Sequence, residues 1–274
     1  MSIGLALALL ALGACVGFLA GLLGIGGGMT MVPTLTFLYT QLGFPTEDVV
    51  HIAVATATAS ICFTAFSSAR EHDRHGAVRW HVVRGMAPGM ILGSLAGPQL
   101  VSRMSTGLLS SFFGAFVIVA ATQILIDRKP APTRELPGIV VLAAVGATIG
   151  FVSSMVGAGG AFLSVPFMTW CNVRIREAVA TSAALGFPIA AAGTLGYVLA
   201  GWGRGGLPAY TVGFVHVPSL AAIVVTSMLA APAGARLAHR WPAQRLRRAF
   251  ALLLYALALY MLWKGASPWI HAAG

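Results

Sequence analysis

The chain has 274 residues, of which 58% are hydrophobic and 9% charged, with a net charge of +10 and a mean hydropathy of +0.86. Soluble domains carry about 25% charged residues. These numbers exclude a water-soluble globule, a disordered chain and a disulfide-stapled scaffold, and they point to a polytopic membrane protein. The basic residues sit in short clusters between long apolar runs, the pattern of cytoplasmic loops rather than of a nucleic-acid surface. Cys15, Cys62 and Cys171 all fall inside apolar runs with no metal-ligand spacing.

In chain order, no charge precedes Glu47. A single helix over those 46 residues would be about 69 Å long, against a hydrocarbon core of about 30 Å. Two segments must therefore share this run, broken at Gly24-Ile25-Gly26-Gly27-Gly28. A secretory signal peptide is a poor reading of the start, because there is no basic n-region and the apolar run continues too far. The same pattern recurs from Leu136 to Val173, broken at Gly157-Ala158-Gly159-Gly160. With the remaining uncharged runs, ten apolar segments are expected, at about 3–23, 28–43, 48–69, 82–101, 107–126, 137–155, 161–173, 177–200, 209–235 and 248–264. Segment 161–173 is short for a full crossing and reads as re-entrant.

The two glycine breaks belong to a duplication. Residues 17–28 align with 150–161, Val32-Pro33 with Val165-Pro166, and Ala53-Val54-Ala55-Thr56-Ala57 with Ala178-Val179-Ala180-Thr181-Ser182. Gly97-Pro98 then aligns with Ala231-Pro232, and Leu109 and Phe113 with Leu246 and Phe250. The expected organisation is a first repeat over 1–127, a charged, Pro-containing linker over 128–136, and a second repeat over 137–274, each repeat holding five segments. If each glycine-broken pair crosses an even number of times, the halves are inverted. Fourteen of the 17 basic residues then fall on one side. If each pair were one broken span, the bias would vanish. The positive-inside rule favours the inverted arrangement, with both termini outside the cytoplasm.

Glycine breaks at these points suggest a binding site. A break leaves the first N–H groups of the following helix without intrahelical partners, at the positive end of the helix dipole. Glycine lets a ligand approach the backbone. An anion seat can thus be made of amides alone, which matters where the spans hold almost no charge. The candidate binding residues are Gly24, Gly26, Gly27, Gly28, Gly157, Gly159 and Gly160, with the hydroxyls of Thr56, Thr58, Thr181 and Ser182. Inverted repeats with discontinuous helices meeting near the midplane are a recurring transporter plan.

Gly-Leu-Leu-Gly-Ile-Gly-Gly-Gly followed by Val32-Pro33, its second copy ending in Val165-Pro166, and the Ala-Thr-Ala and Ala-Thr-Ser blocks resemble the TauE/SafE family of membrane permeases, often called sulfite exporters. The loop His72…Gly76-Ala77-Val78-Arg79-Trp80 fits that family as well. The resemblance covers essentially the whole chain. It implies a bacterial inner-membrane permease for small sulfur-containing anions such as sulfite, sulfoacetate or another organosulfonate. Ala57 and Ala161 depart from the family pattern and make the two half-sites unequal.

Other polar residues read more plainly. Arg176 is a candidate for attracting an anion, or a positive-inside anchor. Glu47, Asp48 and Glu177 lie at segment starts, where carboxylates cap helices favourably. The basic stretch 236–248 is expected to face anionic lipid head groups. No nucleotide motif, metal cluster or nucleophile–base pair is present in the sequence, so neither a cofactor, nor a metal, nor enzyme activity, nor nucleic-acid binding is expected. A channel, a permease for a non-sulfur anion, a scaffold or sensor, and a homo-oligomeric assembly all remain compatible with these residues.

Overall fold

The computed structural model describes residues 3–23, 27–126, 135–238 and 243–272. Among them are ten helices: α1 (Ile3–Leu23), α2 (Gly28–Gln41), α3 (Val49–Arg74), α4 (Trp80–Val101), α5 (Thr106–Ile126), α6 (Ile139–Val156), α7 (Ala161–Trp170), α8 (Ile175–Ala200), α9 (Val217–Ala238) and α10 (Ala243–Ala272). Five stretches are long and apolar enough to cross a membrane: α3, α5, α6, α8 and residues Arg248–Ser267 of α10. The chain is an all-α polytopic membrane protein. At 10 residues, α7 is about 15 Å long, half the thickness of a hydrocarbon core.

The last two helices differ most from the sequence reading. The ninth helix begins at Val217, because residues 201–216 form a connection ending in a two-stranded hairpin, β1 (Thr211–Val212) and β2 (Val215–His216). Gly203, Gly206 and Gly213 turn the chain there with φ of 76°, 82° and 56°, angles that L side chains resist. The tenth helix runs further at both ends, since its flanking Gln, Arg, Lys and Ala residues favour helix. The joint between the proposed repeats falls mostly on residues 127–134, outside the described residues.

Helix α3 occupies the centre: every residue from Val49 to Ile61 is buried. It packs against α8, while α4 packs against α6, α1 against α9 and α5 against α10. Exchange the halves, α1 for α6 through α5 for α10, and this set of pairings maps onto itself, as a two-fold axis requires. α3 and α8 run antiparallel, with Thr58 opposite Gly193 and Ala65 opposite Gly186.

Glycine makes the other contacts close. On α4, Gly85, Gly89, Gly93 and Gly97 recur every fourth residue and face α6, where a Cβ at Gly89 or Gly93 would run into the backbone of Ala143, Ala147 or Phe151. Gly146 and Gly150 of α6 answer them against Met86 and Met90, and Gly13 and Gly17 of α1 meet the α9 backbone at Ile223 and Ser227. Lipid is as apolar as leucine, so membrane helices associate through such close packing rather than by burying apolar area. Two closely packed pairs result, α4 with α6 and α1 with α9, each joining helices from different halves.

Candidate functional site

The second glycine turn is fully visible. Helix α6 ends at Val156 because Gly157 takes the left-handed conformation, φ 62°. The Ala158 amide then donates to the Ser153 carbonyl at 3.0 Å and the Gly157 amide to Ser154 at 3.4 Å, the Schellman pattern that satisfies late helix carbonyls. Gly160, φ 77°, caps α7, whose first intrahelical bonds run from Leu163 and Ser164 to the Gly160 carbonyl. The amides of Ala161 and Phe162 precede those bonds. Among the described residues, neither the Gly159 nor the Gly160 amide finds an acceptor. Several N–H groups thus gather at the start of α7, at the positive end of its dipole.

The two turns meet. Gly28, the first residue of α2, packs so tightly on Gly157 that an added Cβ would collide with the Gly157 carbonyl oxygen. Ile61 of α3 stands beside both, 3.2 Å from a Cβ built at Gly28 and 3.4 Å from one built at Gly159. Gly27 caps α2 and its carbonyl accepts from the Met31 amide at 2.9 Å and from the Thr30 hydroxyl at 2.9 Å. Gly24 and Gly26 lie outside the described residues.

The three glycines of the second turn do not have the same reason to be glycine. Gly157 and Gly160 are buried and hold positive φ. Gly159 is half-buried, needs no left-handed angle, and would place a Cβ no closer than 3.4 Å to any neighbour. Packing and conformation leave its lack of a side chain unexplained.

Each expected hydroxyl has a protein partner. Thr58 donates back to Val54 O of its own helix at 2.8 Å. Ser182 of α8 shares a 2.7 Å hydrogen bond with Ser164 of α7, fixing the short helix to its neighbour. Thr56 accepts from the backbone N–H of His216 at 3.1 Å, at the entry to α9. Thr181, its partner in the sequence alignment, accepts from the backbone N–H of Arg79 at 3.0 Å, at the entry to α4. Each threonine therefore holds the entry of a helix from the opposite half. Burial pushes the His216 imidazole below its usual range, and its Nδ1 lies 2.7 Å from Ser219 Oγ.

Two ion pairs were not legible in the sequence. Asp48 stands at the N-cap of α3 but makes no capping hydrogen bond. Its carboxylate instead faces Arg204, with Nη2 at 2.9 Å from Oδ1 and Nε donating to Oδ2 at 3.2 Å. Glu177, in the first turn of α8, meets Arg79 with Nη2 at 2.7 Å and Nε at 2.8 Å. The capping role read for both carboxylates is thus replaced by pairing across the halves. Beside Asp48, buried His51 brings Nε2 to 3.0 Å from the Val101 carbonyl and 3.1 Å from that of Met104, and its ring stacks on Phe214. Arg176 is exposed, one residue before Glu177. The side chains of the basic stretch 236–248 lie mostly outside the described residues.

Helix content, apolar spans and interrupted helices meeting at glycine define a polytopic membrane protein of transporter type. Residues 9–261 match the family model described as sulfite exporter TauE/SafE, and the chain belongs to that family. It is 32% identical over 257 residues to a probable membrane transporter protein of Haemophilus influenzae, covering 93% of this chain and 97% of that one. A probable membrane transporter protein of Methanocaldococcus jannaschii is 25% identical, with 93% and 94% covered. The probable membrane transporter protein YdhB of Bacillus subtilis is 26% identical, with 90% and 96% covered. No solved structure matches this chain.

Proposed function

We propose that this membrane transporter is a secondary carrier and exporter of a small sulfur-containing anion, such as sulfite, sulfoacetate or another organosulfonate, working by alternating access in the bacterial inner membrane. The two halves are inverted and both termini face away from the cytoplasm. The observation that carries the reading is Gly159. It is a half-buried glycine where an added Cβ would meet nothing closer than 3.4 Å and no backbone angle requires glycine, beside amides without acceptors among the described residues. Unsatisfied amides within a membrane cost several kcal/mol each unless they meet water or a ligand. An oxyanion satisfies them, and Ile61 offers apolar surface to an organic tail.

In this reading the seat is formed by Gly24, Gly26, Gly27 and Gly28 with Gly157, Gly159 and Gly160. Thr58 and Ser182 line it, while Thr56 and Thr181 act by holding helix entries. Arg176 draws anions toward one mouth, and the basic stretch 236–248 rests on anionic lipid. The carrier requires no cofactor and catalyses no chemical step.

The test is flux into proteoliposomes with sulfite, thiosulfate, sulfoacetate and carboxylate controls. A carrier gives saturable uptake and accelerated exchange against substrate loaded inside. Non-saturating flux without exchange would make the protein a channel. Transport of carboxylates in preference to every sulfur anion would overturn the substrate class.

A further inference from the structure

The Asp48–Arg204 and Glu177–Arg79 pairs lie at opposite ends of the central α3–α8 pair. Asp48 begins α3, and Arg204 follows the end of α8. Glu177 begins α8, and Arg79 follows the end of α3. Because α3 and α8 are antiparallel and α3 has 26 residues, the two pairs are separated by about 39 Å, the length of that helix. We propose that these ion pairs are the two gates of the carrier, one at each membrane face, and that they open in alternation. The proposal rests on the carrier reading above and adds the residues that control access to its seat.

Three features support it. First, each pair joins the halves: Asp48 and Arg79 belong to the first, Arg204 and Glu177 to the second. Each pair is thus one tie between the halves at one end of the α3–α8 pair. Second, each arginine sits in the connection that leads into α9 or α4, and that connection is also tied by a backbone amide to Thr56 or Thr181. α9 is locked to α1, which leads into the first glycine turn, and α4 is locked to α6, which leads into the second. Each gate is therefore attached to the closely packed helix pair that leads into one glycine turn. Third, the arginines are 38% and 36% exposed and the carboxylates 7% and 26%. Each pair is thus partly buried. A fully buried pair is costly to break, and a fully exposed one holds little. The seat lies between them, with Ile61 about 20 Å along α3 from Asp48 and Gly186 about 14 Å along α8 from Glu177 at 1.5 Å per residue.

Cys62 reports on both gates. It lies near the middle of α3, half-buried, 3.6 Å from Thr194 of α8. In a Cys15→Ala, Cys171→Ala background, membrane-impermeant maleimide is applied to right-side-out and inverted vesicles. Asp48→Asn is expected to speed Cys62 labelling at least tenfold from the face carrying Asp48 only, and Glu177→Gln from the opposite face only. The exchanges D48R/R204D and E177R/R79E are expected to restore slow labelling. Acceleration from the same face by both variants, or no acceleration in monodisperse protein, would overturn the proposal. So would failure of folded exchange variants to slow the reaction. Labelling needs no substrate. Side-specific labelling without anion flux would sink the substrate reading alone, and sulfur-anion flux without side-specific labelling would sink the gates alone.

Discussion

Replacing Gly28 with alanine tests whether the start of α2 is pressed against the Gly157 turn. The added Cβ would stand 2.0 Å from the Gly157 carbonyl oxygen, where real Cβ contacts essentially never fall below 3.0 Å. The opposing atom cannot swing aside as a side-chain tip would. It belongs to a left-handed glycine at the end of α6, in a turn fixed by bonds to Ser153 and Ser154. The start of α2 and the turn must therefore part by about 1 Å, through a close-packed interior. Overpacking of this kind costs about 1–3 kcal/mol, or roughly 5- to 150-fold in the folded-to-unfolded ratio. Gly159→Ala is the matched control. Its Cβ meets only Ile61, at 3.4 Å, and the expected cost is within about 0.5 kcal/mol. Thermal unfolding in detergent, followed by tryptophan fluorescence, reads both. Unchanged melting of Gly28→Ala, or equal damage from Gly159→Ala, would refute the reasoning.

Other expectations follow from single contacts. Gly93→Leu forces a side chain into the Ala147 and Phe151 backbone of α6 and is expected to abolish monodisperse protein on gel filtration. Gly138→Leu, which meets nothing within 4 Å, is expected to elute as the wild type. Burial lowers the pKa of His216 in the folded chain, whereas the unfolded chain binds a proton below about pH 6.5. Its contribution to stability is therefore lost as pH falls through about 6.5, and His216→Gln is expected to flatten the drop in melting midpoint between pH 7.5 and 5. Equal drops would remove His216 from that account. Epitope tags at both ends are expected to be accessible from the non-cytoplasmic face, and two cytoplasmic ends would contradict the inverted arrangement.

The spans were legible because a membrane writes them plainly. Charge-free runs found all ten helices, the first eight within about five residues at either end, and the two glycine runs marked the breaks. The hairpin before α9 was not legible, since Tyr210 to Val215 is as apolar as the helix that follows it. The partners of polar groups were hidden for a different reason. Asp48 and Glu177 sit where carboxylates commonly cap helices, and only the antiparallel packing of α3 on α8 brings Arg204 and Arg79 to them. Thr56 and Thr181 were picked out by the repeat. Their acceptance of amides from the opposite half depends on how the halves interlock, which spacing along the chain does not encode.

The central claim is that backbone amides at the glycine turns hold the anion, and the concentration dependence of flux tests it most directly. Wild type and Gly159→Leu are compared in proteoliposomes with the best-transported sulfur anion. The leucine Cβ makes an ordinary 3.4 Å contact with Ile61, and its branch is expected to cover the amides. The account requires a KM at least tenfold higher in protein of unchanged melting temperature. An unchanged KM in Gly159→Leu would contradict it.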